Sequence, residues 1–182
     1  VGKANKETNT EADLMGKLVR VVHDVGTALW WGGCVMGTLA MNPAVEVLDD
    51  PEERGKMVDE GWARFQPYAA AGLFGSIITH IIMRRNPPRR PSQCYKTTAL
   101  VKDALLGAAV VSSVASLALG EYSTHYEAEG YTPMESATTP DANTPEEVAQ
   151  AQGGLSIASW VQLASGLGLL VCGALLAAER ER

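Results

Sequence analysis

The residues with chemistry to offer are few, and most lie at the edges of apolar sequence. His23-Asp24, His80 and Lys102-Asp103 each fall within about a turn of the end of a long charge-poor run. If those runs are helices ending at a common level, five ionisable groups from three helices converge. Such a cluster supports three chemistries. Neutral imidazoles of His23 and His80 can ligate one metal ion or a b-type haem. Asp24, Asp103 and the histidines can hold a proton or a small ligand. The carboxylates can instead pair with Lys102, Arg20 or a histidine as a hydrogen-bonded latch, with Lys102 free to snorkel as an alternative. The latch is favoured, because two histidines without a surrounding motif define no metal geometry.

Elsewhere the sequence offers less. His125 lies near Glu121, Glu127 and Glu129, a pattern open to a cation site but more in keeping with a solvated loop histidine. Cys34, Cys94 and Cys172 fall at different depths and predict three thiols. There is no CxxC, HExxH, P-loop or Gly-x-Ser-x-Gly pattern.

The elements that must position these groups follow from charge distribution. The 182 residues carry a formal net charge of −6 and are 46% hydrophobic, yet Asp, Glu, Lys and Arg are absent from 25–45, 65–83, 104–120 and 148–178. These runs of 21, 19, 17 and 31 residues are about long enough to cross a ~30 Å hydrocarbon core at ~1.5 Å per residue, the third only marginally. A soluble helix would keep a charged face throughout. The pattern therefore predicts an all-α, four-transmembrane-helix bundle. It excludes a nucleic-acid binder, a disordered chain and a disulfide-stapled secreted domain.

The connections set an orientation. Residues 1–20 hold four bases against three acids, and 84–96 holds Arg84, Arg85, Arg89, Arg90 and Lys96 with no acid. The stretches 42–66 and 121–147 each hold seven acids, against three bases and none respectively. Positive connections stay cytoplasmic, so both termini and the Arg-rich loop are expected inside a bacterial plasma membrane. The first run reads as an uncleaved span rather than a signal peptide.

Helices are expected at about 14–41, 67–85, 97–119 and 145–178, after a mobile cytoplasmic tail at 1–13; 14–182 forms a single membrane domain. Asp50-Pro51-Glu52-Glu53 reads as a helix start. It predicts a short amphipathic outer helix to about Phe65, with a solvated extension of the second span as the equal alternative. Thr144-Pro145-Glu146-Glu147 repeats the start pattern. Residues 121–143 are expected to be a long acidic outer loop, too polar to pack as a core. The last helix exceeds one bilayer thickness, so its first turns should stand outside or the helix should tilt. Small residues at steps of four predict close helix contacts: Gly33 and Gly37, reinforced by Gly26 and Gly32; Ala108, Ser112, Ser116 and Gly120; Ala164, Gly168 and Cys172.

His23-Asp24-Val25-Gly26, Trp30-Trp31-Gly32-Gly33 and Met36-Gly37, with Asp50-Pro51-Glu52-Glu53-Arg54 and Gly61-Trp62 beyond, resemble a group of actinobacterial four-helix membrane proteins over about residues 18–68. That resemblance implies a fold and no activity. A first-helix histidine followed by Trp-x-Gly-Gly is more distantly similar to copper-resistance-D-like proteins and HemJ-type protoporphyrinogen oxidases. The HemJ likeness implies haem binding at His23 alone.

The leading expectation is a non-enzymatic membrane component, an accessory or structural partner of other membrane subunits or of itself, with no cofactor. The alternative is a haem- or metal-linked redox or transport protein using His23 and His80. A third class, a proton-coupled transporter, rests on Thr27, Thr79, Ser112, Ser113 and Ser159.

Overall fold

The computed structural model describes the backbone of residues 2–88, 90–126 and 130–180, and within those the side chains of Glu11 and of 14–179. Four long helices dominate: α1 (Gly2–Met36), α2 (Pro51–Arg85), α3 (Gln93–Thr124) and α4 (Glu146–Arg180). α1 packs along α2, and α3 along α4; α1 also meets α4, and α2 meets α3 more lightly. Two of the helices, Gln93–Thr124 and Glu146–Glu179, are long and apolar enough to cross a membrane.

Several boundaries differ from expectation. α1 starts at Gly2, so the residues expected as a tail form its first turns. It ends in a π-turn at Gly37–Met41, followed by single turns at Asn42–Ala44 and Val45–Val47. Pro43 explains the widening: its ring would clash with the carbonyl four residues back, and a π-turn moves that carbonyl away. No separate outer helix precedes α2. The helix begins where Asp50 accepts the Glu52 N–H at 2.9 Å and continues through Pro67 to Arg85. Pro67 leaves the Ala63 carbonyl without its helical donor but does not end the helix. α3 begins at Ser92, whose hydroxyl accepts the Tyr95 N–H at 2.9 Å. Thr144 does not cap α4. Its hydroxyl donates to the Pro133 carbonyl at 2.7 Å and accepts the Asp141 N–H at 2.8 Å.

The outer loop does pack. Met134–Ser136 and Thr139–Pro140 form a two-stranded antiparallel hairpin, pairing Met134 with Pro140 and Ser136 with Thr139. Met134 is fully buried with Val45, Val58 and Ala137, and Trp62 packs on this group. A second cluster lies between the helices, formed by Trp30, Cys34, Leu106, Ala109 and Leu169. The first turns of α4 are covered by the hairpin: Val148 and Gln152 are fully buried, and the Gln152 amide donates to the Ser136 carbonyl at 3.4 Å.

Polarity is inverted around the helices. Leu14, Leu18, Val21, Val25 and Leu29 of α1 are exposed, as are Phe74, Ile78 and Ile82 of α2, Val111 and Val114 of α3, and Ile157 and Leu167 of α4. His23, Thr27, Ser76, Thr79, Lys102, Gln162 and Ser165 are buried.

Candidate functional site

The polar interior is built on one close approach. A Cβ on Gly26 would lie 2.6 Å from the Gly72 carbonyl oxygen, and one on Gly72 would lie 2.7 Å from that of Gly26. Only glycine at both positions lets the α1 and α2 backbones come this near. Short side chains one turn away can then reach across. The His23 Nδ1–H donates to the Ser76 carbonyl at 3.1 Å, with the Thr79 hydroxyl 3.4 Å from the same nitrogen. Thr27 donates to the His23 carbonyl at 2.8 Å and lies 3.0 Å from the Ser76 hydroxyl.

His80 faces α3. Its Nε2–H donates to Asp103 Oδ1 at 2.7 Å, and Arg84 meets the other carboxylate oxygen at 2.8 Å. The His23 and His80 ring centres are 6.0 Å apart. The structure thus brings His23, His80 and Asp103 into one constellation tying α1 to α2 and α2 to α3.

Lys102 and Asp24 line a neighbouring pocket of about 30 Å³ with Arg20, Tyr95 and both histidines. Lys102 is buried, and its ammonium points toward Gly173 of α4; a Cβ there would lie 3.5 Å from Nζ and 3.9 Å from Asp24 Oδ1. No ion pair joins Lys102 to Asp24 among the described residues. A pocket of this size holds about one or two waters.

That volume tests the cofactor alternative. A haem ligated by both histidines would have to pass edge-on between the two rings, and the pocket that both of them line has no room for a macrocycle. His23 Nε2 and His80 Nδ1 remain unbonded among the described residues, but Lys102 and Arg20 put positive charge beside them, where a metal cation would sit. Among the described residues no three His, Cys, Asp or Glu side chains are placed to hold one ion. The pocket lined by both histidines does not fit a haem.

Further along the bundle, two consecutive tryptophans bond to two different helices. The Trp30 indole donates to the Ser113 hydroxyl of α3 at 3.1 Å, and that of Trp31 to the Leu163 carbonyl of α4 at 2.9 Å. Gly166 makes space for the Trp31 ring. Gln162 donates to Ser116 at 3.1 Å. The sequence marks these groups weakly: an indole N–H in an apolar run needs an acceptor, but the run does not name it.

The small-residue positions divide by use. Gly33 seats the Phe65 ring, Gly37 seats Trp62, and Gly168 faces Leu105. Ser112 is buried and bonds within its own helix, to the Ala108 carbonyl at 2.7 Å. The glycines of α1 thus serve as sockets for rings as well as for backbone contact. At the hairpin end of the bundle, His125 lies 3.4 Å from Asp59 of α2 and is half-exposed; Glu127 and Glu129 lie outside the described residues. Cys34 and Cys172 are buried thiols, and Cys94 is an exposed one.

The site belongs to a helical bundle whose interior holds polar side chains beside an apolar cluster and whose exterior exposes many large apolar side chains. The chain matches no family model, no curated protein and no solved structure.

Proposed function

We propose that the chain is a four-span helical membrane protein serving as a non-enzymatic, structural or accessory component of a larger membrane assembly. The carrying observation is the inverted polarity. In water, the exposed Leu, Val, Ile and Phe side chains would each forgo roughly 1.5–3 kcal/mol of burial. Together they would form an apolar patch far beyond what soluble monomers expose. In a bilayer the same faces meet lipid, and the buried hydroxyls and imidazoles satisfy one another internally. The buried polar side chains of α1 and α2 within or beside their charge-free runs, His23, Thr27, Ser76, Thr79 and His80, point inward, so this reading takes all four helices as spans. The Arg-rich connection is placed in the cytoplasm and the hairpin cap outside.

An accessory role is supported by the hydrogen-bonded group of His23, Ser76 and Thr27 between α1 and α2, with His80 bonded to Asp103 of α3. Its members hold one another across helices, and Trp30, a donor only, cannot pass a proton onward. Purification in mild detergent tests the reading. The chain should elute in a complex heavier than its 19.3 kDa plus detergent, without a Soret band. A lone chain whose Soret band disappears in His23→Ala would overturn it.

A further inference from the structure

Between α2 and α3, which touch lightly, lies an open cleft of about 760 Å³. Its walls are Ile77 and Ile81 on α2 and Leu106 and Val110 on α3. Gly107 lines it, and a Cβ there would meet nothing within 4 Å. One end is charged. Arg84 and Arg85 stand at the mouth with Asp103. Asp103 is already shared by His80 and Arg84, while Arg85 has no carboxylate partner among the described residues. The mouth therefore keeps an excess positive charge, and Arg84 retains donors beyond its bond to Asp103.

We infer that this cleft binds one phospholipid with an anionic headgroup, drawn from the cytoplasmic leaflet. The headgroup lies against Arg84 and Arg85, and one acyl chain runs along the isoleucines over Gly107. Length argues for a lipid over a partner helix. From Ile77 to Arg85, and from Asp103 to Val111, the lining covers about 12 Å at ~1.5 Å per residue. That is close to one leaflet of a ~30 Å core, whereas a spanning helix would need a groove of the full thickness. Charge argues for an anionic headgroup: basic groups between helices at the cytoplasmic boundary attract acidic lipids, at about 1 kcal/mol per residue. The inference rests on the four-span reading.

The test reconstitutes the full chain in vesicles of phosphatidylcholine with one-tenth phosphatidylglycerol. Membrane insertion is checked first by flotation after alkaline carbonate. The chain is then extracted in mild detergent, and retained lipid is measured by native mass spectrometry. The wild type should keep one phosphatidylglycerol per chain in preference to phosphatidylcholine. Arg85→Gln should weaken that preference about fivefold. Gly107→Phe, which fills the cleft without disturbing a packed neighbour, should abolish it. Gly153→Phe, also in open space but at the other end of the bundle, should leave it intact. Insertion with equal retention of both lipids, or unchanged retention in Gly107→Phe, would overturn the lipid site and leave the span reading standing. Oxidative cross-linking of Gly107→Cys into a dimer would give the cleft to a second copy and equally overturn it. Failure to insert would defeat the span reading and the lipid site together.

Discussion

Asp103 is the residue on which the inner end of the bundle turns. It accepts from His80 on one oxygen and from Arg84 on the other, so one side chain on α3 holds two turns of α2. Removing it leaves a histidine and a guanidinium without their acceptor. Asp103→Ala should therefore cost about 2 kcal/mol, the scale of a hydrogen bond to a charged group, since Arg84 and Asp103 are both partly exposed. Thermal unfolding in detergent reads this, and an unchanged midpoint would remove the latch. Trp30→Phe keeps the ring and deletes only the donor to Ser113; about 1 kcal/mol is expected by the same measurement. The membership of His23, His80 and Asp103 was legible because charges at Arg20 and Arg84 mark where the charge-free runs end along each helix. Depth says nothing about rotation, so the Ser76 carbonyl as the acceptor for His23 was not legible. Nor was the Leu163 carbonyl as the acceptor for Trp31.

At the scale of elements, α1 and α2 are held together by a backbone contact and two ring sockets. Gly33→Leu would drive a branched side chain into the Phe65 ring and should destabilise the pair by about 1–3 kcal/mol or more. Gly153→Leu, with nothing near its Cβ, should not; equal stability of the two variants would remove the socket from the account. The hairpin cap makes a separate prediction. Met134→Ala should open a cavity among Val45, Val58 and Trp62 at a cost of about 3 kcal/mol. Hydrogen exchange should then rise across 131–140 while α3 stays protected, and uniform change along the chain would contradict an independent cap. Helix starts were partly readable: Asp50 followed by proline and two glutamates gives a real cap. Thr144 carries the same signal, yet its hydroxyl serves the hairpin, a partner distant in space. Pro67 misleads in the opposite direction, since proline favours a first turn but an exposed carbonyl can tolerate it mid-helix. Two strands of three and two residues are too short to leave a periodic trace.

At the scale of the whole molecule, the proposed topology has the bundle crossing a membrane four times, with the Arg-rich connection inside and the hairpin cap outside. The chain carries its own reporter. Cys94 is exposed next to that connection, while Cys34 and Cys172 are buried, so an impermeant maleimide should read one native thiol. Ala142→Cys places a second reporter at an exposed position after the hairpin. On intact cells the reagent should label Ala142→Cys and spare Cys94, and permeabilising the membrane should then add Cys94. Labelling of Cys94 from outside, or of both thiols from the same side, would contradict the topology.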